Sequence, residues 1–396
     1  MYLTKEEEKL LQGEYGSSLA LAMKLLVTLG EVFGAERMIK IASAQISGVS
    51  YKNIGDAGIE FLKDIAKERT NVKVFTTLNP AGMDLDRWKE MGVPDDFAKK
   101  QNQIIDIFRK LGISITCTCT PYLAGNKPKF CEHVAWAESS AVAYANSVLG
   151  ARTNREGGPS ALASAITGLT PLYGYHLERE RVATFRVSIE GVLRNELDYS
   201  ALGYYVGKTM KKGVPLFTGI KRTNIAQLKA LSAGLGTSSA IALYHIKDVT
   251  KEAAKAEPVD TTIQSISVNR KNIEETIESL TNVRDFDVIC IGCPHCSLSE
   301  IRQIYYFLQG KTLKKKLWIF TSRKVYDEAA KRGYVKGIEK VGGKLIRDTC
   351  MVVAPIRDMG VEKVLTNSCK AAYYMPPNCK VKTSLLELKR SLKVAT

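Results

Sequence analysis

The residues of this 396-residue sequence best suited to chemistry are its nine cysteines, five of which fall in three short groups. Cys117 and Cys119 lie in Thr116-Cys117-Thr118-Cys119-Thr120-Pro121-Tyr122. Cys293 and Cys296 lie in Gly292-Cys293-Pro294-His295-Cys296-Ser297, and Cys350 lies in Asp348-Thr349-Cys350-Met351. Each group follows a β-type apolar run (113–117, 287–291 and 344–346). Open α/β sheets bind their ligands at the carboxyl ends of strands, so three thiolates from separate segments can converge there on one inorganic centre. Two other chemistries compete. Strand, Cys-Pro-His-Cys, then helix is the pattern of a thioredoxin-like thiol–disulfide oxidoreductase using Cys293 and Cys296. The pairs 117/119 and 293/296 could also hold zinc, although one intervening residue is short for a zinc pair. The plain alternative is burial as small hydrophobes, which suits Cys290 inside its apolar strand and extends to Cys131 and Cys379.

The elements that must position these groups are legible as an alternation. Strand runs at 38–46, 72–78 and 113–117 alternate with amphipathic stretches, and a long helix is expected over 132–149, ended by Gly150. The segment 151–174 reads as loops with a short helix. A polar stretch at 251–272, carrying Pro258, reads as a linker. Beyond it come strand 287–291, helix 298–308 with a Ser297/Glu300 capping box, strand 316–321, helix 325–332, strand 344–346 and a last strand near Val364. This predicts an α/β protein of mostly parallel sheets flanked by helices, with an N-terminal region over 1–255, divisible into two subdomains, and a doubly wound unit over 272–396.

Composition narrows the function classes. The chain is 45% apolar and 25% charged, an ordinary globular balance. It opens on a helix start, with Thr4 and Glu7 as a capping box, and not on a signal peptide. The most apolar early stretch, 19–29, spans about eleven residues and contains Lys24, short of the ~20 that cross a bilayer. A cytoplasmic location with reduced thiols and no membrane partner is therefore expected. Lys and Arg outnumber Asp and Glu by 57 to 41, a net charge of +16. That surplus calls for an anionic partner or reflects a thermophile-like surface. The basic residues are spread along the chain with no aromatic-interleaved stripe, so nucleic acid is not the expected partner.

Polar candidates accompany the cysteines. Glu138 is the lone carboxylate in an Ala-rich apolar stretch, where burial would raise its pKa toward a proton-transfer role. Ser139 and Asn146 lie near the same helical face. Arg152, Asn154 and Arg155 follow the expected helix end, suited to gripping a carboxylate or phosphate. Asn79 ends the 72–78 run, and Ser368 and Lys370 are candidates for a phosphate. His295 would support the cysteine centre from behind, while His133, His176 and His245 show no metal spacing.

Taken together, Cys119-Thr120-Pro121-Tyr122, the block from Trp136-Ala137-Glu138-Ser139-Ser140 to Arg152-Thr153-Asn154-Arg155, Cys293-Pro294-His295, Asp348-Thr349-Cys350 and Thr366-Asn367-Ser368 resemble the aconitase X family over nearly the whole chain. The resemblance implies an aconitase-like multi-domain core and an iron–sulfur hydro-lyase. Cys119, Cys293 and Cys350 would ligate a 4Fe-4S cluster with one iron open to substrate, and Cys117 and Cys296 would be spare. One branch of the family dehydrates cis-3-hydroxy-L-proline, while an archaeal branch dehydrates mevalonate 5-phosphate, a small phosphorylated carboxylate; the second is the expectation here. Two departures stand out: Cys369-Lys370 where relatives carry Gly-Lys, and Gln45-Ile46-Ser47-Gly48 where many carry His-Ile-Asp-Gly, which bears on Ser47 and Gly48 as substrate contacts. The sequence ends soon after its last motif. The mobile swivel domain, with its catalytic serine, is therefore expected on a separate small subunit.

Overall fold

The computed structural model describes residues 1–68, 70–257 and 263–396. Three all-parallel sheets organise it. The first runs in the order Phe75–Leu78, Ser43–Ile46, Ala135–Trp136. The second runs His245–Ile246, Pro215–Thr218, Phe185–Ile189, Ser265–Val268. The third runs Gly343–Arg347, Lys316–Thr321, Val288–Cys296, Lys363–Thr366, Lys382–Leu385. Helices cover each sheet, as parallel strands buried on both faces require. No described helix is long and apolar enough to cross a membrane.

Where local signals were strong, the expected elements appear. Thr4 and Glu7 form their capping box ahead of Lys5–Gln12, Ser297 and Glu300 cap Leu298–Leu308, and Lys316–Thr321 is a strand. Tertiary pairing overrides the simpler expectations elsewhere. The 38–46 run splits: Met38–Lys40 pairs antiparallel with Leu169–Pro171, and Ser43–Ile46 enters the first sheet. The 113–117 run is not a strand. It touches the sheet through a single bridge, Thr77 to Ser114, and Cys117 turns the chain at a φ of 42°.

The helix expected over 132–149 is Ser139–Tyr144 only, followed by a wider turn over Ala145–Leu149 that ends at Gly150 (φ 71°). Ala135–Trp136 is drawn into the sheet instead, with the buried Trp136 donating from its indole to Ser43 Oγ at 3.3 Å. Glu138 therefore caps the helix and does not sit in its middle.

Val364 is not in the last strand, because Lys382–Leu385 adds a fifth to the third sheet. Its polar Lys-Thr-Ser content suits an edge and hides it from a search for apolar runs. The stretch 251–272 contains the strand Ser265–Val268, paired with Phe185–Ile189; Pro258 lies outside the described residues.

Candidate active site

The carboxyl ends of the first and third sheets face each other, and the residues that meet there come from segments far apart in sequence. Asn79 follows Phe75–Leu78, and Glu138 follows Ala135–Trp136. From the third sheet, Cys293 lies in Val288–Cys296, Cys350 follows Gly343–Arg347, and Ser368 and Lys370 follow Lys363–Thr366. A backbone bond from Ala81 N–H to the Asp348 carbonyl (2.8 Å) joins the two edges directly.

At the centre is an ion pair. Lys370, in the first turn of Cys369–Cys379, donates to Glu138 and also to Ser139 Oγ (3.2 Å) and Ser140 Oγ (3.4 Å). Asn79 Nδ2 donates to the other carboxylate oxygen at 2.9 Å, and Gln45 Nε2 donates to Asn79 Oδ1 at 3.3 Å. Gln45 also accepts the Glu138 N–H at 2.9 Å. Burial alone would raise the Glu138 carboxyl, but the Lys370 ammonium and the Asn79 amide outweigh it and hold the group well below the usual carboxylate range. This reverses the raised pKa expected from sequence, because the decisive cation lies 232 residues downstream.

The three cysteines lie around this pair. Cys119 accepts the His295 N–H at 3.2 Å. Cys293 lies beside Ser368, whose hydroxyl accepts the Ala371 N–H as helix cap at 3.2 Å. Cys350 opens a turn in which its carbonyl accepts the Val353 N–H at 3.2 Å and the Ala354 N–H at 3.1 Å. Burial pushes all three thiols up to about 12, and neighbouring negative groups add to it: Glu138 and Cys350 act on Cys119, and Cys293 acts on Cys350. Such thiols become thiolates when a metal binds them.

No three His, Cys, Asp or Glu side chains among the described residues gather tightly enough for a single metal ion. A multi-iron cluster differs in taking each thiolate on a separate iron. Three thiols on three segments, Cys119 and Cys350 buried and Cys293 half-buried, fit that donor set. They also argue against the zinc alternative.

The oxidoreductase alternative fails on geometry. Cys-Pro-His-Cys extends the strand, with Cys296 packed in the apolar cluster of Ile289, Ile291 and Ile301. Cys293 packs instead with the cluster of Met83, Phe320 and Met351. Both are free thiols. Cys290 is fully buried as expected, whereas Cys131 is exposed.

Other sequence candidates are not brought to the pair. Asn146 is buried and donates to the carbonyls of Thr153 (2.9 Å) and Ala242 (2.8 Å), tying down the turn before Gly150. Arg152 is bonded to Glu178 and lies 3.7 Å from Glu252. Asn154 donates to the Tyr173 carbonyl at 3.0 Å. Arg155 donates to the Ser239 carbonyl at 3.1 Å and is exposed. Ser47 and Gly48 line a largely apolar cavity of about 260 Å³ with Phe61, Phe108 and Pro159. His133 and His176, without metal spacing in sequence, meet at 2.9 Å between their Nδ1 atoms.

Three participants were missed from sequence: Ser140, Thr118 and Lys229. The buried Lys229 reaches from Ile225–Ser238 to Glu300 (2.6 Å) and the His295 carbonyl (2.8 Å). Its signal was available, a lone cation in an otherwise small and apolar helix, the same signal that singled out Glu138.

Facing parallel sheets with buried thiols and an ion pair between their carboxyl edges define an aconitase-like α/β lyase core. Family models for the first, second and third domains of aconitase X match residues 1–179, 183–278 and 286–396. The chain belongs to the aconitase X family. It is 53% identical to the phosphomevalonate dehydratase large subunit of Methanocaldococcus jannaschii, covering 99% of this chain and 100% of that one. To its namesake in Methanothermobacter thermautotrophicus it is 51% identical, covering 96% and 95%. The cis-3-hydroxy-L-proline dehydratase of Pseudomonas aeruginosa is 32% identical over 93% of this chain and 66% of that protein. The crystal structure of Thermococcus kodakaraensis aconitase X in its holo-form superposes with a TM-score of 0.94 at 47% identity, covering both chains completely.

Proposed function

We propose that this chain is the large subunit of a hydro-lyase that dehydrates mevalonate 5-phosphate to anhydromevalonate 5-phosphate in isoprenoid biosynthesis. The observation that carries the reading is the meeting of Cys119, Cys293 and Cys350 beside the Lys370–Glu138 pair. The choice of substrate follows the relatives. Those named phosphomevalonate dehydratase large subunit match at up to 53% identity and nearly equal length, whereas the hydroxyproline dehydratase matches at 32% and is longer.

Cys119, Cys293 and Cys350 would hold an iron–sulfur cluster, proposed as 4Fe-4S with one iron free of protein ligands. When bound, it supplies a Lewis acid that eases departure of the substrate's tertiary hydroxyl. Lys370 and Ser139 then face the substrate as donors to its carboxylate, where negative charge grows as the adjacent proton leaves. Preorganised donors of this kind are worth ~3–4 kcal/mol each. Glu138 stays anionic, keeping the Lys370 ammonium charged and aimed. Asn79 and Gln45 fix Glu138 in turn. Ser368 is assigned to the phosphate, and Arg155, the exposed arginine of its block, is the remaining cation assigned to substrate. The proton base is assigned to a serine on a small swivel-domain subunit, in keeping with the "large subunit" names of the relatives.

The test is anaerobic reconstitution of the chain with iron, sulfide and the small subunit, followed by assay of mevalonate 5-phosphate and of cis-3-hydroxy-L-proline. Loss of the first substrate alone supports the reading. An iron-loaded complex that consumes only the second would replace it.

A further inference from the structure

His295 is fully buried, and its four polar atoms are engaged on three other segments. Its N–H donates to Cys119 Sγ at 3.2 Å. Its Nε2 lies 2.8 Å from the Thr349 carbonyl oxygen. A carbonyl has no proton to give, so Nε2 carries the hydrogen and donates it. Nδ1 of the neutral ring is then an acceptor, and the Thr118 hydroxyl donates to it at 3.0 Å. Thr118 is held in turn, accepting the Thr120 N–H at 3.1 Å. Behind the ring, the His295 carbonyl accepts Lys229 Nζ at 2.8 Å.

We propose that His295 is the positioning residue that sets the three cysteines in register before any cluster is present. The sequence logic is direct. Thr118 precedes Cys119, Thr349 precedes Cys350, and His295 lies two residues beyond Cys293. One rigid imidazole therefore bridges all three cysteine-bearing segments. Its two nitrogens fix the separation of the Thr118 and Thr349 segments as a planar spacer. Lys229 adds a fourth anchor, from the helix Ile225–Ser238. Neither an asparagine nor a glutamine places an acceptor and a donor on opposite sides of a ring, so neither replaces it. The inference rests on the cluster-bearing reading above, and its test separates the two.

The experiment compares the parent chain with His295→Ala, Thr118→Val and Thr118→Ser, each reconstituted anaerobically with ferrous iron and sulfide. Three readings are taken: iron retained per chain against a chelator, the alkylation rates of Cys119, Cys293 and Cys350 in the cluster-free chain by peptide mass mapping, and the unfolding midpoint of that chain. Loss of a hydrogen-bond partner behind a metal ligand costs about 10- to 100-fold in metal affinity. His295→Ala and Thr118→Val are expected to lose iron faster by about that factor and to alkylate faster at Cys119 and Cys350. Thr118→Ser should match the parent. Thr118→Val is nearly isosteric and removes one hydroxyl, so it decides the matter even if His295→Ala fails to fold. Parent-like iron retention and alkylation in Thr118→Val overturn the proposal. So does a loss that only tracks a lowered midpoint and is not rescued by Thr118→Ser. If the parent itself takes up no cluster, the function reading fails, and the alkylation pattern still judges the role of His295.

Discussion

Lys370 and Glu138 form a buried ion pair although 232 residues separate them in sequence. Both side chains are about nine-tenths buried, 11% exposed each. The pair therefore joins the first sheet to the third at the point where both present their carboxyl ends. It also sets the charge of the site: one fixed cation, neutralised at rest, beside three thiols.

The first prediction concerns that pair. Lys370→Met strands a buried carboxylate, a change expected to cost about 3–5 kcal/mol in denaturant unfolding. Turnover should fall by about a hundredfold or more, as when a preorganised donor is removed. Combining it with Glu138→Gln should restore most of the stability and none of the turnover. A single variant as stable as the parent would show that the pair is not buried as described.

The second concerns the thiols. Cys350→Ser should prevent stable iron uptake, whereas Cys296→Ser should take up iron and sulfide like the parent. The cost to Cys296→Ser is stability, about 1–3 kcal/mol for a hydroxyl placed among Ile289, Ile291 and Ile301. Iron and sulfide assays on both variants decide it, and the reverse pattern would remove Cys350 from the ligand set.

These two cases show what the sequence could and could not reveal. The three cysteine groups stand out locally, but the choice of Cys119, Cys293 and Cys350 within them comes from the family resemblance, since the run before Cys119 is not a strand and Cys293 lies inside Val288–Cys296. Glu138 was found as a lone charge among alanines, but its ionisation was misjudged, since that depends on Lys370 arriving from another sheet. Arg152 and Asn146 looked like substrate contacts by residue type, yet their bonds go to Glu178 and to the carbonyls of Thr153 and Ala242. Polarity of a loop does not say whether its partner is ligand or protein. The second sheet is less legible because His245–Ile246 has only two residues and Ser265–Val268 lies in the polar stretch that reads as a linker.

The third prediction follows from His176. Burial and the neighbouring His133 and Arg181 lower its pKa from 6.5 to about 3. Between those values the unfolded chain binds a proton that the folded chain refuses, so stability is complete above pH 6.5 and drains as pH falls toward 3. The shift caps this loss at roughly 5 kcal/mol. His176→Asn, which keeps one hydrogen bond toward His133, should flatten the slope of unfolding free energy against pH in that window. An unchanged slope would assign the acid sensitivity elsewhere.

The fourth separates packing from positioning on the helix Ile225–Ser238. A Cβ at Gly234 would come within 2.2 Å of the Ser200 carbonyl oxygen, where this helix crosses Glu196–Met210 backbone to backbone. Gly234→Ala must push the two helices apart, an overpacking cost of about 1–3 kcal/mol or more. At Gly236 the added atom would sit 3.1 Å from the Ser139 backbone, a contact relieved by a shift of a few tenths of an ångström. That shift moves Ser139 relative to Lys370. Gly236→Ala is therefore expected to unfold much like the parent while losing about tenfold in kcat/KM, since small misplacements at a reacting centre are costly. Equal stability of the two variants, or parent-like kinetics in Gly236→Ala, would show that helix Ile225–Ser238 does not position Ser139.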